Sequence, residues 1–337
     1  MRLTPKALLS LFALATCANA ADTKAPANVI VHDPAMAQEG KQFYVYTTGP
    51  NLPFYSSSDL KTWHKGGEIF TEAPQITAQT APEYTGFPWA PDVHFHKGKY
   101  YLYFAVSSFG KNTSGIGVAV NKTLNPQSPD YHWDQQGVVL QSIPNRDDWN
   151  AIDPNVIEDE KGVLWMTFGS FWSGIKLLKL NADGTRPAEP QEWYNLAARE
   201  RIPNHPLING AVEAPFLFKK GDYYYLFVSF DLCCKAEKST YNIRVGRSKT
   251  LTGPYLDKDG KDMMQGGGSL VLAGNNHYQA LGHNSAYTFN GKDYLVFHAY
   301  DTADKYEPKL KILGMQWIDG WPSVKAAELD TYNSRLK

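Results

Sequence analysis

The segment Asn150–Pro154 (Asn-Ala-Ile-Asp-Pro) is followed by a turn at Gly162 and then by the apolar segment Leu164–Phe168 (Leu-Trp-Met-Thr-Phe). The same order of a polar, mostly acidic segment, a glycine turn and a dense apolar segment recurs on both sides of it. A recurrence of this kind indicates a repeat architecture. The turns lie at Gly40, Gly98, Gly162, Gly221 and Gly291, at spacings of 58, 64, 59 and 70 residues.

A dense aromatic or apolar segment follows each turn. Such residues on consecutive positions are typical of strands that are buried on both faces. A second apolar segment follows in every unit, which leaves room for three or four antiparallel strands. Five such sheets arranged radially predict an all-β chain folded as a five-bladed β-propeller. The segments after the turns are Gln42–Tyr46, Tyr100–Phe104, Leu164–Phe168, Tyr223–Phe227 and Asp293–Phe297.

A two-sheet sandwich is the alternative fold, and it explains the short strands but not the fivefold recurrence. Helical periodicity is weak throughout the chain. The one passable helical stretch, around Glu192 to Arg201, lacks a clear apolar face. Because no linker divides the chain, we predict a single propeller domain over residues 21–337, and we expect it to act as a monomer.

The first 20 residues have the features of a cleaved secretory signal peptide. Arg2 and Lys6 precede an apolar run over residues 7–15, and the expected cleavage follows Ala20. The apolar run is too short to span a membrane. We therefore expect a secreted protein, extracellular or periplasmic, without a membrane span. A membrane anchor and lipidation at Cys17 are the alternatives.

The formal net charge is −1, and removal of Arg2 and Lys6 with the signal peptide leaves −3. A near-neutral chain without a basic cluster lacks the electrostatic footprint of a nucleic-acid-binding protein. Only Cys233 and Cys234 remain after cleavage, and two adjacent cysteines cannot cross-link distant segments. They form either a disulfide that faces a ligand or two buried thiols. The stability of the fold must therefore come from a large core.

The predicted first strand of each blade opens with polar residues. In a propeller these strands line the central channel, so the residues that open them face one another. A single Asp-Pro is typical of a turn, but acids in four successive repeats predict a shared site. Crowded carboxylates push their pKa values apart, and this allows one acid and one base at the same pH. The openings carry Asp33, Asp92, Asp153, Glu213 and the pair His283–Asn284.

Several aromatic residues lie near these acids, in loops or at predicted strand ends. Aromatic rings can stack on the apolar faces of sugars, while groups such as Asn150 and Ser170 can bind sugar hydroxyls. The pattern therefore predicts a carbohydrate site. Packing between blades is the alternative role for the aromatic side chains. The candidates are Trp89, Phe109, Trp149 and Trp172.

Six motifs, in the same order and over nearly the whole mature chain, resemble glycoside hydrolase family 43 and, within it, the endo-α-1,5-L-arabinanases. The segment Ser239–Ser248 is also similar to arabinanases. The motifs are Val31–Pro34, Phe87–Asp92, Asn150–Pro154, Phe168–Gly174, Val212–Pro215 and Gly282–Ser285.

The resemblance implies a secreted five-bladed propeller that cleaves internal α-1,5-L-arabinofuranosidic bonds of arabinan with inversion. Asp33 would be the general base that activates water, and Glu213 the general acid that protonates the leaving oxygen. Asp153 would orient Glu213 and keep its pKa raised. An inverting enzyme needs its two carboxyl groups about 6.5–9.5 Å apart so that water fits between them and the sugar.

The resemblance also implies a set of substrate contacts. No cofactor is required for the chemistry, but His283 could hold a structural cation such as Ca²⁺ in the channel. Hard cations prefer oxygen ligands, so a histidine that is hydrogen-bonded to carboxylates is the alternative. The implied substrate-binding residues are Asp33, Trp89, Gly115, Asn150, Ala151, Ile152, Asp153, Ser170, Phe171 and Trp172.

Other functions remain open at this point. Within the family, the alternatives are an exo-acting arabinanase, a β-xylosidase or an α-L-arabinofuranosidase. Such exo-acting relatives often carry a C-terminal β-sandwich, for which residues 325–337 leave no room. A non-catalytic sugar-binding propeller is the alternative from another class. It would tolerate the loss of acids, whereas this chain carries all three at the motif positions.

Overall fold

The five glycine turns lie where the first two strands of each sheet are joined. The computed structural model describes residues 28–84, 86–200 and 210–337. All five turn glycines have positive φ angles, between 55° and 78°, a region that glycine enters without steric cost. The predicted signal peptide, residues 1–20, and its Cys17 lie outside the described residues.

Within the described ranges the strands form five sheets, and the first four strands of each sheet are antiparallel neighbours in chain order. Blade 1 contains β1 (Ala35–Glu39), β2 (Gln42–Tyr46), β3 (Pro53–Ser57) and β4 (Thr62–Glu68). Blade 2 contains β5 (Trp89–His96), β6 (Lys99–Val106), β7 (Ser114–Asn121) and β8 (Asp134–Ser142). Blade 3 contains β9 (Asn155–Glu158), β10 (Leu164–Phe168), β11 (Ile175–Lys179) and β12 (Trp193–Ala197). Blade 4 contains β13 (Val212–Lys220), β14 (Tyr223–Phe230), β15 (Asn242–Ser248) and β16 (Ser269–Leu272). Blade 5 contains β17 (Tyr278–Phe289), β18 (Lys292–Asp301), β19 (Glu307–Ile318) and β20 (Trp321–Val324).

This architecture confirms the predicted all-β, five-bladed propeller. Two four-residue helices, α1 (Thr77–Thr80) and α2 (Glu328–Thr331), lie outside the sheets. The weakly helical stretch that starts at Glu192 is instead a strand, since β12 pairs with β11 and buries Leu196. Pairing with a neighbouring strand here overrides the local helical preference.

Both ends of the described chain close the ring of blades. At the N-terminal end, the backbone N–H of Val31 donates to Pro308 O (3.1 Å), and that of Leu310 donates to Val29 O (3.0 Å). At the C-terminal end, β21 (Arg335–Leu336) adds to blade 1 in parallel with β4. Residues near the two ends therefore cover strand edges of blades 5 and 1, and covered edges resist pairing with other chains.

The apolar core lies between neighbouring blades. Five clusters of buried side chains, found among the described residues, each join two adjacent blades. Tyr46 of blade 1 and Phe104 of blade 2 share one cluster, and Phe227 of blade 4 and Phe297 of blade 5 share another. These aromatic strands are buried on both faces, as their sequences predict, and the inner ends of the first strands are free to meet at the axis.

Candidate active site

A residue in the left-handed backbone region lies near the start of the first strand of each blade. Its φ lies between 46° and 58°, although none of the five residues is a glycine. This conformation costs a non-glycine residue roughly 1–3 kcal/mol and clusters at functional sites. The strand register shifts at the same place in blades 2, 4 and 5, and such a bulge re-aims side chains. The residues are Asp33, Ala90, Asp153, Ala214 and His283.

The five left-handed residues occupy equivalent positions in the blades, and they correct the prediction that Asp92 faces the channel with the other acids. Asp92 lies two residues beyond Ala90 and does not join the other acids. It is buried between blades 2 and 3, where it accepts hydrogen bonds from the backbone N–H of Val156 (2.8 Å) and from Nδ2 of Asn155 (3.2 Å). Burial raises the pKa of Asp92 to about 7. The bulge places Trp89 at the channel instead, and the hydrogen bonds of Asp92 link blade 2 to blade 3.

All five blades contribute to one pocket of about 610 Å³ at the channel mouth. It brings together Asp33, Asp153 and Glu213 with His283, and most of the predicted sugar-binding residues line its wall. Phe171 and Trp172 reach the pocket through a tight loop, in which Gly174 N–H donates to Phe171 O at 2.7 Å. The predicted substrate-binding residues in the wall are Asp33, Trp89, Asn150, Ile152, Asp153, Ser170, Phe171 and Trp172.

Two predicted substrate-binding residues do not line this pocket. Ala151 is buried, and its backbone N–H donates to Ser142 Oγ at 3.0 Å. Gly115 packs against α1, where a Cβ atom would lie 2.7 Å from Cβ of Thr80. The missing side chain at Gly115 therefore leaves space for α1. The neighbouring Ser114 contacts the pocket residue Asn150, because its hydroxyl donates to Oδ1 of Asn150 (2.7 Å).

Asp33 is held as a carboxylate anion. Its Oδ2 accepts a hydrogen bond from Thr48 Oγ1 (2.6 Å), and its Oδ1 lies 2.8 Å from Nδ1 of His32 and 3.0 Å from Nδ1 of His283. Burial alone would raise the pKa of Asp33, but the charge of His283 and the hydrogen bonds from His283 and His32 hold it well below its usual range. An ionised carboxylate at the pocket floor is suited to accept a proton.

Asp153 and Glu213 line the same pocket as this anion. Glu213 accepts hydrogen bonds from Ser170 Oγ at Oε2 (2.6 Å) and from the Tyr241 hydroxyl at Oε1 (2.7 Å). Asp153 Oδ2 accepts the backbone N–H of Ala214 (3.0 Å). Burial raises the pKa of Asp153 to about 8, and the charge of Glu213 adds to the shift. The raised pKa favours the protonated form of Asp153 at neutral pH.

Two of the acids lie in environments that shift their pKa values in opposite directions. Burial raises the pKa of Asp153 to about 8. Asp33, in contrast, has two histidine neighbours that stabilise its charge. Environments that move the pKa values of carboxyl groups apart in this way are typical of sites with one acid and one base.

His283 supplies positive charge to this acidic cluster. Burial alone would lower the pKa of His283, but the charges of Asp33 and Asp153 outweigh burial and raise it to about 9. In the next residue, Asn284, both polar side-chain atoms are buried and have no partner among the described residues. Such atoms fit ordered water in the channel. A hydrated hard cation at this place would require the neutral imidazole of His283 as a nitrogen ligand, with water supplying the oxygen ligands.

Sequence reasoning missed Tyr241 and Thr48, which hydrogen-bond to Glu213 and Asp33. Tyr241 lies in the arabinanase-like segment, but its partner is 28 residues away in the chain. The structural reason for the position of Tyr241 lies at Gly282, where a Cβ atom would come within 1.9 Å of the Tyr241 ring. The glycine before His283 is therefore required for the position of Tyr241. Thr48 follows β2 without any distinguishing pattern.

Two loops form the rim of the pocket. Cys233 and Cys234 are joined by a disulfide and belong to the wall, which answers the question left open by the sequence. The next residue, Lys235 of blade 4, places its Nζ 5.1 Å from the ring centroid of Phe109 in blade 2. The two loops therefore meet across one side of the pocket.

No helix within residues 28–84, 86–200 and 210–337 is long and apolar enough to cross a membrane.

Comparison with known proteins places these features in a family. Residues 26–322 match the family described as Glycosyl hydrolases family 43. Over 314 residues the chain is 56% identical to an extracellular exo-α-(1→5)-L-arabinofuranosidase of Cellvibrio japonicus, with 92% of this chain and 90% of the relative covered. Over 300 residues it is 43% identical to extracellular endo-α-(1→5)-L-arabinanase 1 of Bacillus subtilis, with 88% of each covered.

Solved structures give the same result. The chain resembles the structure of Cellvibrio cellulosa α-L-arabinanase complexed with arabinohexaose, with a TM-score of 0.89 and 54% identity over 92% of this chain and 100% of that chain. The matched length, the fold and the acids at its axis agree with one another. The chain belongs to glycosyl hydrolase family 43.

Proposed function

We propose that this protein is a secreted hydrolase of the α-1,5-L-arabinofuranosidic bonds of arabinan. The observation that carries the proposal is the convergence of three acids in one aromatic-lined pocket: Asp33, which contacts His283, together with Asp153 and Glu213. The names of the two relatives given above describe enzymes that act on α-1,5-linked L-arabinose, and this supports the choice of substrate.

In the proposed mechanism Asp33 is the general base and Glu213 the general acid. The Asp33 carboxylate takes a proton from a water molecule whose oxygen bonds to the anomeric carbon. The bond from that carbon to the leaving oxygen breaks, and the Glu213 carboxyl group gives its proton to that oxygen. Attack opposite the leaving group inverts the anomeric centre. Ser170 and Tyr241 orient Glu213 throughout.

Substrate comparison tests this proposal. We expect reducing-sugar release from linear α-1,5-arabinan to exceed release from xylan by orders of magnitude, and NMR of the first product should show the inverted anomer. Activity on xylan alone would point to a β-xylosidase and overturn the proposal. Binding of arabino-oligosaccharides without any turnover would point to the non-catalytic sugar-binding alternative.

For the mode of cleavage we propose attack near chain ends, although the sequence motifs predict internal cleavage. The contact between Phe109 and Lys235 supports this choice, because it crosses the rim where an open groove would let a long chain pass. Phe109 is 66% exposed, so it is available to contact sugar units. The higher identity to the exo-acting relative than to the endo-acting one points the same way.

Phe109→Ala is expected to lengthen the early products of arabinan hydrolysis. Removing the ring opens one side of the pocket, so a chain can extend past the former barrier. Chromatography of products at low conversion should show short oligosaccharides of one size for the wild type and a broader range for the variant. Leu270→Ala is a matched control, because Leu270 is half exposed but lies on the outer strand β16, away from the pocket. Broad early products from the wild type itself would contradict the proposed exo mode.

Asp153→Asn is expected to move the alkaline limb of the pH–rate profile to lower pH. Two neighbouring carboxyl groups hold a shared proton more tightly than one carboxyl group beside an amide. For each pH unit by which the limb moves, kcat/KM at pH values above the new limb falls by about tenfold. Initial rates on arabino-oligosaccharides across the pH range measure the limb. An alkaline limb that stays in place would contradict an effect of the Asp153 carboxyl group on the pKa of the acid.

A hydrated cation such as Ca²⁺ is proposed in the channel. The neutral imidazole of His283 and water beside Asn284 would hold it, and the cation would then supply the positive charge next to the buried carboxylates in place of the protonated imidazole. The hydrolysis itself is assigned to the three acids and requires no cofactor.

A further inference from the structure

The disulfide between Cys233 and Cys234 has no part in the hydrolytic steps, yet it lies in the wall of the pocket. It follows β14 in blade 4, whereas Asp33 belongs to blade 1 on another side of the channel. Cys233 packs in a small cluster with Tyr241 and Tyr300 at the rim. The disulfide thus has contacts with both the pocket and the side chains behind the catalytic acids.

A chain of hydrogen bonds connects the disulfide loop to Asp33. The backbone N–H of Cys234 donates to the Tyr300 hydroxyl (3.2 Å), and that hydroxyl lies 2.8 Å from Nε2 of His32. The other ring nitrogen of His32, Nδ1, lies 2.8 Å from Oδ1 of Asp33. We call this series, Cys234–Tyr300–His32–Asp33, the relay.

The donors and acceptors of the relay have one consistent order. Since the Tyr300 oxygen accepts from the Cys234 N–H, its own proton can be donated to Nε2 of His32. Nδ1 of His32 then carries the ring proton and donates it to Asp33, because a neutral imidazole has one donor and one acceptor nitrogen. Each member therefore fixes the orientation of the next one.

His32 depends on the relay for the choice of its ring flip. Its ring stacks on His298, with centroids 4.1 Å apart, and stacking alone does not distinguish the two flips about Cβ–Cγ that exchange Nδ1 with Cδ2. Tyr300 is only 5% exposed and is itself fixed by packing. The hydrogen bond between Tyr300 and Nε2 of His32 favours the flip that places Nδ1 at Asp33.

We propose that the Cys233–Cys234 disulfide is a positioning element for Asp33, acting through Tyr300 and His32. A bond between adjacent cysteines closes a small ring around their shared peptide and restricts its rotation, so the N–H of Cys234 keeps its direction towards Tyr300. This inference rests on the proposed role of Asp33 as general base. Without the disulfide the loop can turn, and the relay loses its first donor.

Reduction of the protein with dithiothreitol tests this proposal. The reductant breaks the S–S bond, each cysteine sulfur gains a hydrogen, and dithiothreitol is oxidised to its cyclic disulfide. The chain has three cysteines, and the predicted cleavage removes Cys17, so the reagent acts on this pair alone. Mass spectrometry confirms the gain of two hydrogens. The Cys233→Ala/Cys234→Ala double variant provides the same loss without a reductant.

We expect reduction to lower kcat on arabino-oligosaccharides by about tenfold with little change in KM, since small misplacements of a catalytic group have effects of this size or larger. Reoxidation should restore kcat. Thermal unfolding of both forms checks that the fold persists. A disulfide that serves only as a wall for sugar would change KM and leave kcat in place, and this result would overturn the proposal.

Tyr300→Phe separates the relay from other effects of the disulfide. This variant should lose kcat to the same extent as reduction, and reducing it should cause no further loss. Tyr306→Phe, in the same cluster, is the matched control and should respond to reduction like the wild type. An equal effect of reduction on Tyr300→Phe and on the wild type would overturn the inference. Failure of the oxidised wild type to cleave arabinan would overturn the proposed function instead, and this inference with it.

Discussion

Glu213→Gln is expected to lower kcat on linear arabinan by about 10²- to 10⁴-fold, the range that general acid catalysis contributes. An amide keeps the size of the side chain and can still contact Ser170 and Tyr241, but it has no proton to give to the leaving oxygen. The loss corresponds to about 3–5 kcal/mol in the barrier. Initial rates, together with calorimetric binding of arabino-oligosaccharides, measure the effect, and binding should remain.

The leaving group distinguishes an acid from other roles. An aryl arabinofuranoside with an acidic phenol needs little protonation, so Glu213→Gln should lose much less activity on it than on arabinan. Glu160→Gln is the matched control, since the Glu160 side chain is 76% exposed and pairs with Lys219 away from the pocket. Equal losses on both substrates, or turnover of arabinan like that of the wild type, would contradict the acid role.

The propeller could be predicted because its signals are local and repeated. A glycine that needs positive φ and an apolar strand directly after it are encoded within about ten residues, and the recurrence of this unit sets the number of blades. The turns at Gly40 and Gly291 show this clearly, since both connect the first two strands of a blade. Pairing between such neighbouring strands follows from the sequence alone.

The relation between blades was harder to predict. Alignment by acids placed Asp92 with Asp33, whereas alignment by the residue before proline places Ala90 with Asp33 and Asp153. The proline was the better guide, because the left-handed residue before it sets where the bulge lies. The side chain of Asp92 then falls on a buried contact to the next blade rather than at the pocket.

Contacts between distant segments of the chain explain the remaining omissions. Tyr241 reaches Glu213 only because Gly282, in another blade, leaves space for its ring. Tyr300 reaches His32 across 268 residues of sequence. No local pattern encodes such pairs, since each depends on the closure of the ring. The family resemblance supplied the three acids, but not the groups that set their protonation.

Asp33→Asn is expected to be as damaging as Glu213→Gln on arabinan, about 10²- to 10⁴-fold in kcat, but with a different dependence on the substrate. The amide cannot take a proton from water, whatever the leaving group. Losses on arabinan and on the activated aryl substrate should therefore be similar. This contrast assigns the base and the acid without reference to a resemblance.

The control and the binding measurement complete the test of Asp33. Asp130→Asn is the matched control, because the Asp130 side chain is 64% exposed and does not line the pocket. Oligosaccharide affinity of Asp33→Asn should stay within a few-fold of the wild type, since the aromatic wall is intact. Recovery of Asp33→Asn on the activated substrate would mean that Asp33 does not activate water. The low pKa of this carboxyl group would then reflect only its contacts with His32 and His283.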